Sequence, residues 1–168
     1  MNKLIPISIG IFLMTLTLKK GMSANGINQL KFLEGEKFVV YVDKAGHKTV
    51  GVGHKVLPSD NLNIGDSITP FESNKYLRND LSLAERSVRN NVLVPLNKNQ
   101  FDALTSFVFN VGTGAFVNST MLRKLNEYDY NGALAEFPRW KFVTINGIKE
   151  ESPGLIERRK YEQDLFNS

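Results

Sequence analysis

The chain has 168 residues, no cysteine, 42% hydrophobic and 23% charged residues, and a formal net charge of +4. That length suits one domain, or two small lobes with a core large enough to need no staple, and the lack of cysteine excludes disulfides, thiol nucleophiles and thiolate metal sites. The basic excess does not point to nucleic acid: Lys3, Lys19 and Lys20 stand in the first 24 positions, where there is no acid, which leaves 18 basic against 17 acidic residues in the body and no basic stripe interleaved with aromatics.

The first element is an address. Lys3 precedes an uncharged run, Leu4 to Leu18, the charged head and apolar body of a secretory signal. At ~1.5 Å per residue the run covers roughly 23 Å, short of a hydrocarbon core of about 30 Å, and Pro6, Ser8, Gly10, Thr15 and Thr17 weaken it. Cleavage after Ala24 is conceivable, with Met22 where a small residue is usual. Two readings stay open: a cleaved signal peptide over 1–24, or an uncleaved, marginal anchor in the inner membrane through residues 4–18. Both send the body, 25–168, out of the cytoplasm to the periplasm or cell wall.

Asn25 to Glu34 places Ile27, Leu30 and Leu33 at spacings of three, a short helix with one apolar stripe, stopped by Gly35. Phe38 to Val42 is aromatic and β-branched, a strand. The turn signal Ala45-Gly46 leads to a second strand through "TVGVGH", and a short loop or strand follows from Leu57 to Asp66. Thr69-Pro-Phe-Glu72 is a capping box with proline at the first helical position, opening a long helix to about Asn90. A helix from Asn97 to Gly112 follows, with the stripe Phe101, Leu104, Phe107, Val108. Ser119 or Thr120 caps another, "NGALAEFPRW" is broken near Pro138, and Pro153 to Phe166 is helical and amphipathic. The pattern predicts an α+β fold, a small helix and β-hairpin lobe followed by a larger all-helical lobe.

The chemistry concentrates in "EGEKFVVYVDKAGHKTVGVGH". A carboxylic acid that donates a proton near neutrality needs a raised pKa, which partial burial against apolar groups supplies. Glu34, between Phe32, Leu33 and Phe38, is placed for that. A second carboxylate must stay ionised in a wetter spot, as Asp43 does at a strand end, and a hydroxyl such as Thr49 helps hold a water against it. Two carboxylates in unequal environments, with a positioned water, are the machinery of glycoside hydrolysis. Acid pairs are common, however, and a Glu at a helix end is usually solvated.

The spacing Glu-x8-Asp-x5-Thr followed by Gly-x-Gly-His closely resembles the catalytic stretch of phage-type lysozymes, the endolysins of the T-even and lambdoid phages. "NQFDALTSFVFNVGTGAF", "STMLRKLN", "RW" and "PGLIERR" resemble that family's helical lobe in the same order, so the resemblance covers roughly Ile27 to Phe166. It implies a lysozyme-like catalytic domain over 25–168 that cuts the β-1,4 bond between N-acetylmuramic acid and N-acetylglucosamine in peptidoglycan. Glu34 is then the proton donor, and Asp43 and Thr49 hold the attacking water in the inverting manner usual for the family. Many members carry Cys where this chain has Asp43. The resemblance also makes Asn110 a substrate-binding amide and pairs His54 with Asp80 as a structural contact. It implies peptidoglycan glycan strands as the partner, a monomer, no nucleic acid, no metal and no cofactor.

Plainer readings stand beside these. Gly51 and Gly53 lie within the expected second strand with no phosphate-loop helix after them. His54 has only His47 as a companion, too little for a metal. Trp140 fits core packing better than sugar stacking. Arg158 and Arg159 read as a salt-bridged helix face. A lytic transglycosylase, a non-catalytic wall-binding module and a chitinase-like enzyme are the rivals in function.

Overall fold

Ser23 opens the first helix, α1 (Ala24–Glu34): its backbone is extended and its hydroxyl accepts the Gly26 N–H at 3.0 Å. The computed structural model describes residues 21–43, 46–145 and 147–168; the run Leu4 to Leu18 and the Lys44-Ala45 part of the expected turn lie outside the described residues. Among the described residues no helix is long and apolar enough to cross a membrane.

Met22 and Ser23, just upstream of Asn25, pack against the body. Met22 is buried with Ile27, Leu30, Val52, Leu77 and Leu81. Its N–H donates to Glu85 Oε1 at 2.7 Å, and its carbonyl accepts from Arg78 Nη1 at 2.9 Å. Ser23 donates through its N–H and its hydroxyl to the buried carboxylate of Asp102, at 3.1 and 2.5 Å. Lys98 Nζ joins Asp102 Oδ1 at 2.7 Å and also donates to the Gly21 carbonyl at 3.2 Å. A stretch that reads as a leader tail is stitched to two helices of the body.

After Gly35 the chain enters an antiparallel sheet of order β1-β2-β3, with β1 (Lys37–Val42), β2 (Lys48–Gly51) and β3 (His54–Lys55). The expected single strand through His54 is therefore two. Gly51 and Gly53 take φ of 63° and 75°, a conformation that breaks the strand and turns the chain. A Cβ at Gly51 would also stand 3.0 Å from Ser73 Oγ, so this turn is where the next helix rests on the sheet. The Leu57 to Asp66 stretch is a short 3₁₀ turn and loop, not a strand, and one bridge between Val39 and Ser67 follows it.

That helix, α2 (Pro70–Asn91), begins with a complete capping box between Thr69 and Glu72. Its 22 residues span about 33 Å. Leu77 and Leu81 pack on α1 and Val52, while Ala84 and Val88 enter the larger core. One rod thus carries both lobes. The larger core is built on α3 (Lys98–Val111), whose Ala103, Leu104, Phe107 and Val108 are all buried. Around it lie α4 (Thr113–Val117), α5 (Thr120–Asn126), α6 (Tyr130–Leu134), a 3₁₀ turn through Trp140 and α7 (Pro153–Phe166). Phe107 sits edge-on to Phe116, Phe137 and Trp140 at 5.3 to 6.4 Å between ring centres.

The larger lobe is not wholly helical. β4 (Phe142–Ile145) and β5 (Ile148–Glu151) form an antiparallel hairpin just before α7. Asn146-Gly147 is the strongest short hairpin signal a sequence carries.

Candidate active site

Asp43 closes β1 and Thr49 lies on β2, opposite Tyr41 in register. The hairpin is tied through Asp43: its N–H donates to the His47 carbonyl at 2.9 Å, and the His47 N–H returns to Asp43 Oδ1 at 2.9 Å. The other oxygen, Oδ2, faces the Thr49 hydroxyl at 3.2 Å. Thr49 is buried, and its single proton is shared between Asp43 and the His47 carbonyl, also at 3.2 Å. The Asp43 side chain keeps 25% of its surface exposed. Turn geometry therefore fixes a half-wet carboxylate against a buried hydroxyl.

Glu34 ends α1 with its side chain 27% exposed. Of the apolar neighbours expected to bury it, Phe32 is 80% and Phe38 39% exposed, and Leu33 is half-buried. Instead Glu34 Oε1 accepts from Arg158 Nη1 of α7 at 2.5 Å. The Arg158 guanidinium is held on two further sides: Nε donates to Glu162 Oε1 at 3.2 Å, and Nη2 reaches the Ser106 carbonyl at 3.5 Å. Ser106 Oγ donates to the same Glu162 oxygen at 2.8 Å. Arg159 Nε stands 3.1 Å from Glu162 Oε2, its Nη2 donates to Asn110 Oδ1 at 2.5 Å, and its guanidinium lies over the Phe107 ring.

Arg158, Arg159 and Glu162 are all buried. Burial pushes the Glu162 carboxyl up, against the opposing pull of Arg159, Arg158 and the Ser106 hydroxyl. Burial likewise pushes Arg159 down. An arginine does not shed its proton in a protein, so Glu162 faces two fixed cations and is their counter-charge. The arginine pair is thus salt-bridged, as its sequence suggests, but as an interior cluster and not on a solvated face. Its signal was helical spacing: Arg158, Arg159, Glu162 and Phe166 share one side of α7.

Asn110 is exposed at the end of α3, on the rim of a groove of about 730 Å³ lined by Thr120, Arg139, Trp140, Phe142 and Val143 among others. Its lining belongs to the larger lobe and does not include Glu34, Asp43 or Thr49. Trp140 is half-buried and serves both surroundings, edge-on to Phe107 on one side and lining the groove on the other.

His54 and Asp80 are in contact, Nδ1 to Oδ2 at 2.9 Å, and Asp60 Oδ2 approaches Nε2 at 3.2 Å. Sequence spacing did not reveal Asp60. Tyr76 stacks on the ring at 4.3 Å. The Asp80 carboxylate, helped by Asp60 and opposed by burial, holds the imidazole above its usual range. A raised histidine contributes stability that is complete below its unfolded value of about 6.5 and is lost as pH rises through its folded value. The His54→Asn variant is therefore expected to cost about 2 kcal/mol near pH 6 and progressively less at higher pH. Urea melts of both proteins across pH 5 to 9 check this; a constant gap would remove the charge from the explanation.

The phage lysozyme family model matches residues 31–162. The chain belongs to the phage lysozyme family. The endolysin of Acyrthosiphon pisum secondary endosymbiont phage 1 is 43% identical over 147 residues, covering 88% of this chain and 98% of that protein. A SAR-endolysin of bacteriophage PS119 is 35% identical over 133 residues, 79% of this chain and 75% of that one. The crystal structure of a point mutant of P22 lysozyme superposes with a TM-score of 0.80 at 39% identity, covering 89% of this chain and 99% of that one. In this phage lysozyme the matched span contains Glu34, Asp43, Thr49, His54, Asp80, Asn110, Trp140 and the whole Arg158, Arg159, Glu162 cluster.

Proposed function

We propose that the chain is an endolysin, a glycoside hydrolase that cuts the β-1,4 bond between N-acetylmuramic acid and N-acetylglucosamine in peptidoglycan and so lyses the bacterial host. The observation that carries the chemistry is the Asp43–Thr49 contact at the hairpin. A lone acid suffices for a transglycosylase, whereas a second, half-wet carboxylate with a hydroxyl beside it serves hydrolysis, where a water must be held and deprotonated.

In this reading the Glu34 carboxyl gives its proton to the glycosidic oxygen as the bond from that oxygen to the sugar C1 breaks. Arg158 engages Oε1, which leaves Oε2 as the oxygen that carries the proton. A water held by Asp43 and Thr49 attacks C1 from the opposite face, with inversion, and its proton passes to Asp43. Glu34 is reprotonated from solvent. Asn110 bonds the glycan along the groove, while His54, Asp80 and Trp140 support the lobes. Export to the periplasm or cell wall, tethering through residues 4–18 and action as a monomer belong to the same proposal. The apolar run and the similarity to SAR-endolysins support the tether.

The test is product chemistry on purified peptidoglycan. Wild type is expected to release muropeptides with new reducing ends and without anhydro ends. Asp43→Asn is expected to lower kcat about 100- to 1000-fold, and Thr49→Ala less, because the carboxylate keeps its other anchor. Anhydro products would assign a transglycosylase, and an Asp43→Asn enzyme of wild-type rate would remove the water-holding role.

A further inference from the structure

The interior charge cluster touches the proposed acid at one atom only. Arg158 offers its three edges to three different groups: Nε to Glu162, Nη2 to the Ser106 carbonyl and Nη1 to Glu34. A guanidinium is a rigid planar fork, so fixing two edges fixes the direction of the third. Glu162 is in turn fixed through the Ser106 hydroxyl on α3, and it balances Arg159 on its other oxygen. It has no exposed surface and lies outside the groove, so it cannot touch substrate.

We propose that Glu162 is a positioning residue for hydrolysis, aiming Arg158 so that the Glu34 carboxyl is presented to the glycosidic oxygen in one orientation. The inference rests on Glu34 being the proton donor. Glu34 sits at a helix end followed by glycine, with its side chain part-exposed, and the Arg158 bond reaches it from an element 124 residues away. Local structure leaves such a side chain several rotamers; Arg158 selects one. The charge count agrees. Two buried guanidiniums face two carboxylates, and only Glu162 lies between both arginines. Without it, Arg158 and Arg159 repel, and Arg158 has every reason to swing toward solvent and carry Glu34 with it. A misplacement of about 1 Å in a reacting group is enough to cost about 100-fold in rate.

The experiment compares wild type, Glu162→Gln, Ser106→Ala and Glu34→Gln, as full chains on purified peptidoglycan. kcat and KM are taken per folded molecule, the folded fraction being measured by circular dichroism. Glu162→Gln is expected to lower kcat at least tenfold with KM unchanged, and Ser106→Ala, which removes one bond to the same oxygen, three- to tenfold. A purely structural role moves the melting temperature and leaves kcat per folded molecule at the wild-type value, which would overturn the proposal. If Glu162→Gln does not fold, Ser106→Ala decides by the same criterion. The failure of the underlying reading looks different: Glu34→Gln then retains activity. An inactive Glu34→Gln beside fully active Glu162→Gln and Ser106→Ala proteins overturns the positioning role alone.

Discussion

Replacing Glu34 by Gln is expected to abolish turnover, with kcat falling about 1000-fold or more and substrate binding little changed. General acid catalysis contributes up to about 10⁴-fold, and the glycosidic oxygen cannot leave as an alkoxide at neutral pH without it. An amide keeps the shape and hydrogen-bonds Arg158, but carries no transferable proton. Stability should change modestly. Arg158 loses one counter-charge but keeps Glu162, and a part-exposed pair of this kind contributes about 1 kcal/mol. The melting temperature should therefore fall by about 2 to 4 °C. Reducing-end release per folded molecule is the measurement. A variant that retains more than about a tenth of wild-type kcat would show that the proton comes from elsewhere.

The second large effect is on the fold. A body beginning at Asn25, as cleavage after Ala24 would leave it, is expected to be much less stable than one beginning at Gly21. Met22 fills the core between α1 and α2, and losing a buried Met side chain costs about 2 to 5 kcal/mol. Ser23 caps α1, which adds about 1 kcal/mol. Asp102, buried in α3, loses both the Ser23 N–H and its hydroxyl and keeps Lys98. Together these remove about 4 kcal/mol or more, a large part of the 5 to 15 kcal/mol that holds a typical domain. Thermal and urea melts of the two truncations check this, and equal midpoints would mean that the Gly21 to Ser23 contacts contribute nothing. If a leader peptidase acts on this chain, a cut upstream of Gly21 is the one that keeps these contacts.

Much of this fold was legible because its signals are local. The Thr69-Pro70-Glu72 box, the Asn97 start of α3 and the Ser119 cap are each set by side chains bonding backbone within four residues, and the Gly112 stop by its own positive φ. The Asp43–Thr49 contact was legible for a related reason: a hairpin with known ends brings its flanks together. What was hidden depends on distant parts of the chain. Met22 read as an awkward residue before a cleavage point because nothing nearby reveals a pocket made by Leu77, Leu81 and Val52. Glu34 looked like an acid among aromatics because its neighbours in sequence are apolar, yet Phe32 and Phe38 are exposed and its charge partner is a distant arginine. Asp60 reaches His54 from a 3₁₀ turn that no periodicity announces. The second hairpin is different, since its signal, Asn146-Gly147, is local and stands in the sequence.

The Glu34–Arg158 bond also orders events in time. The proposed acid is in the first helix of the body and its clamp in α7, 124 residues later. A chain made and threaded outward from its N-terminus exposes the acid early and receives Arg158, Arg159 and Glu162 only once α7 has been made. Until then the glutamate hangs without its guide, and α3 has no partner for Ser106. The cutting tool is therefore assembled only when α7 emerges. A copy stalled before α7 holds the acid without its clamp, inside the cell that is making it.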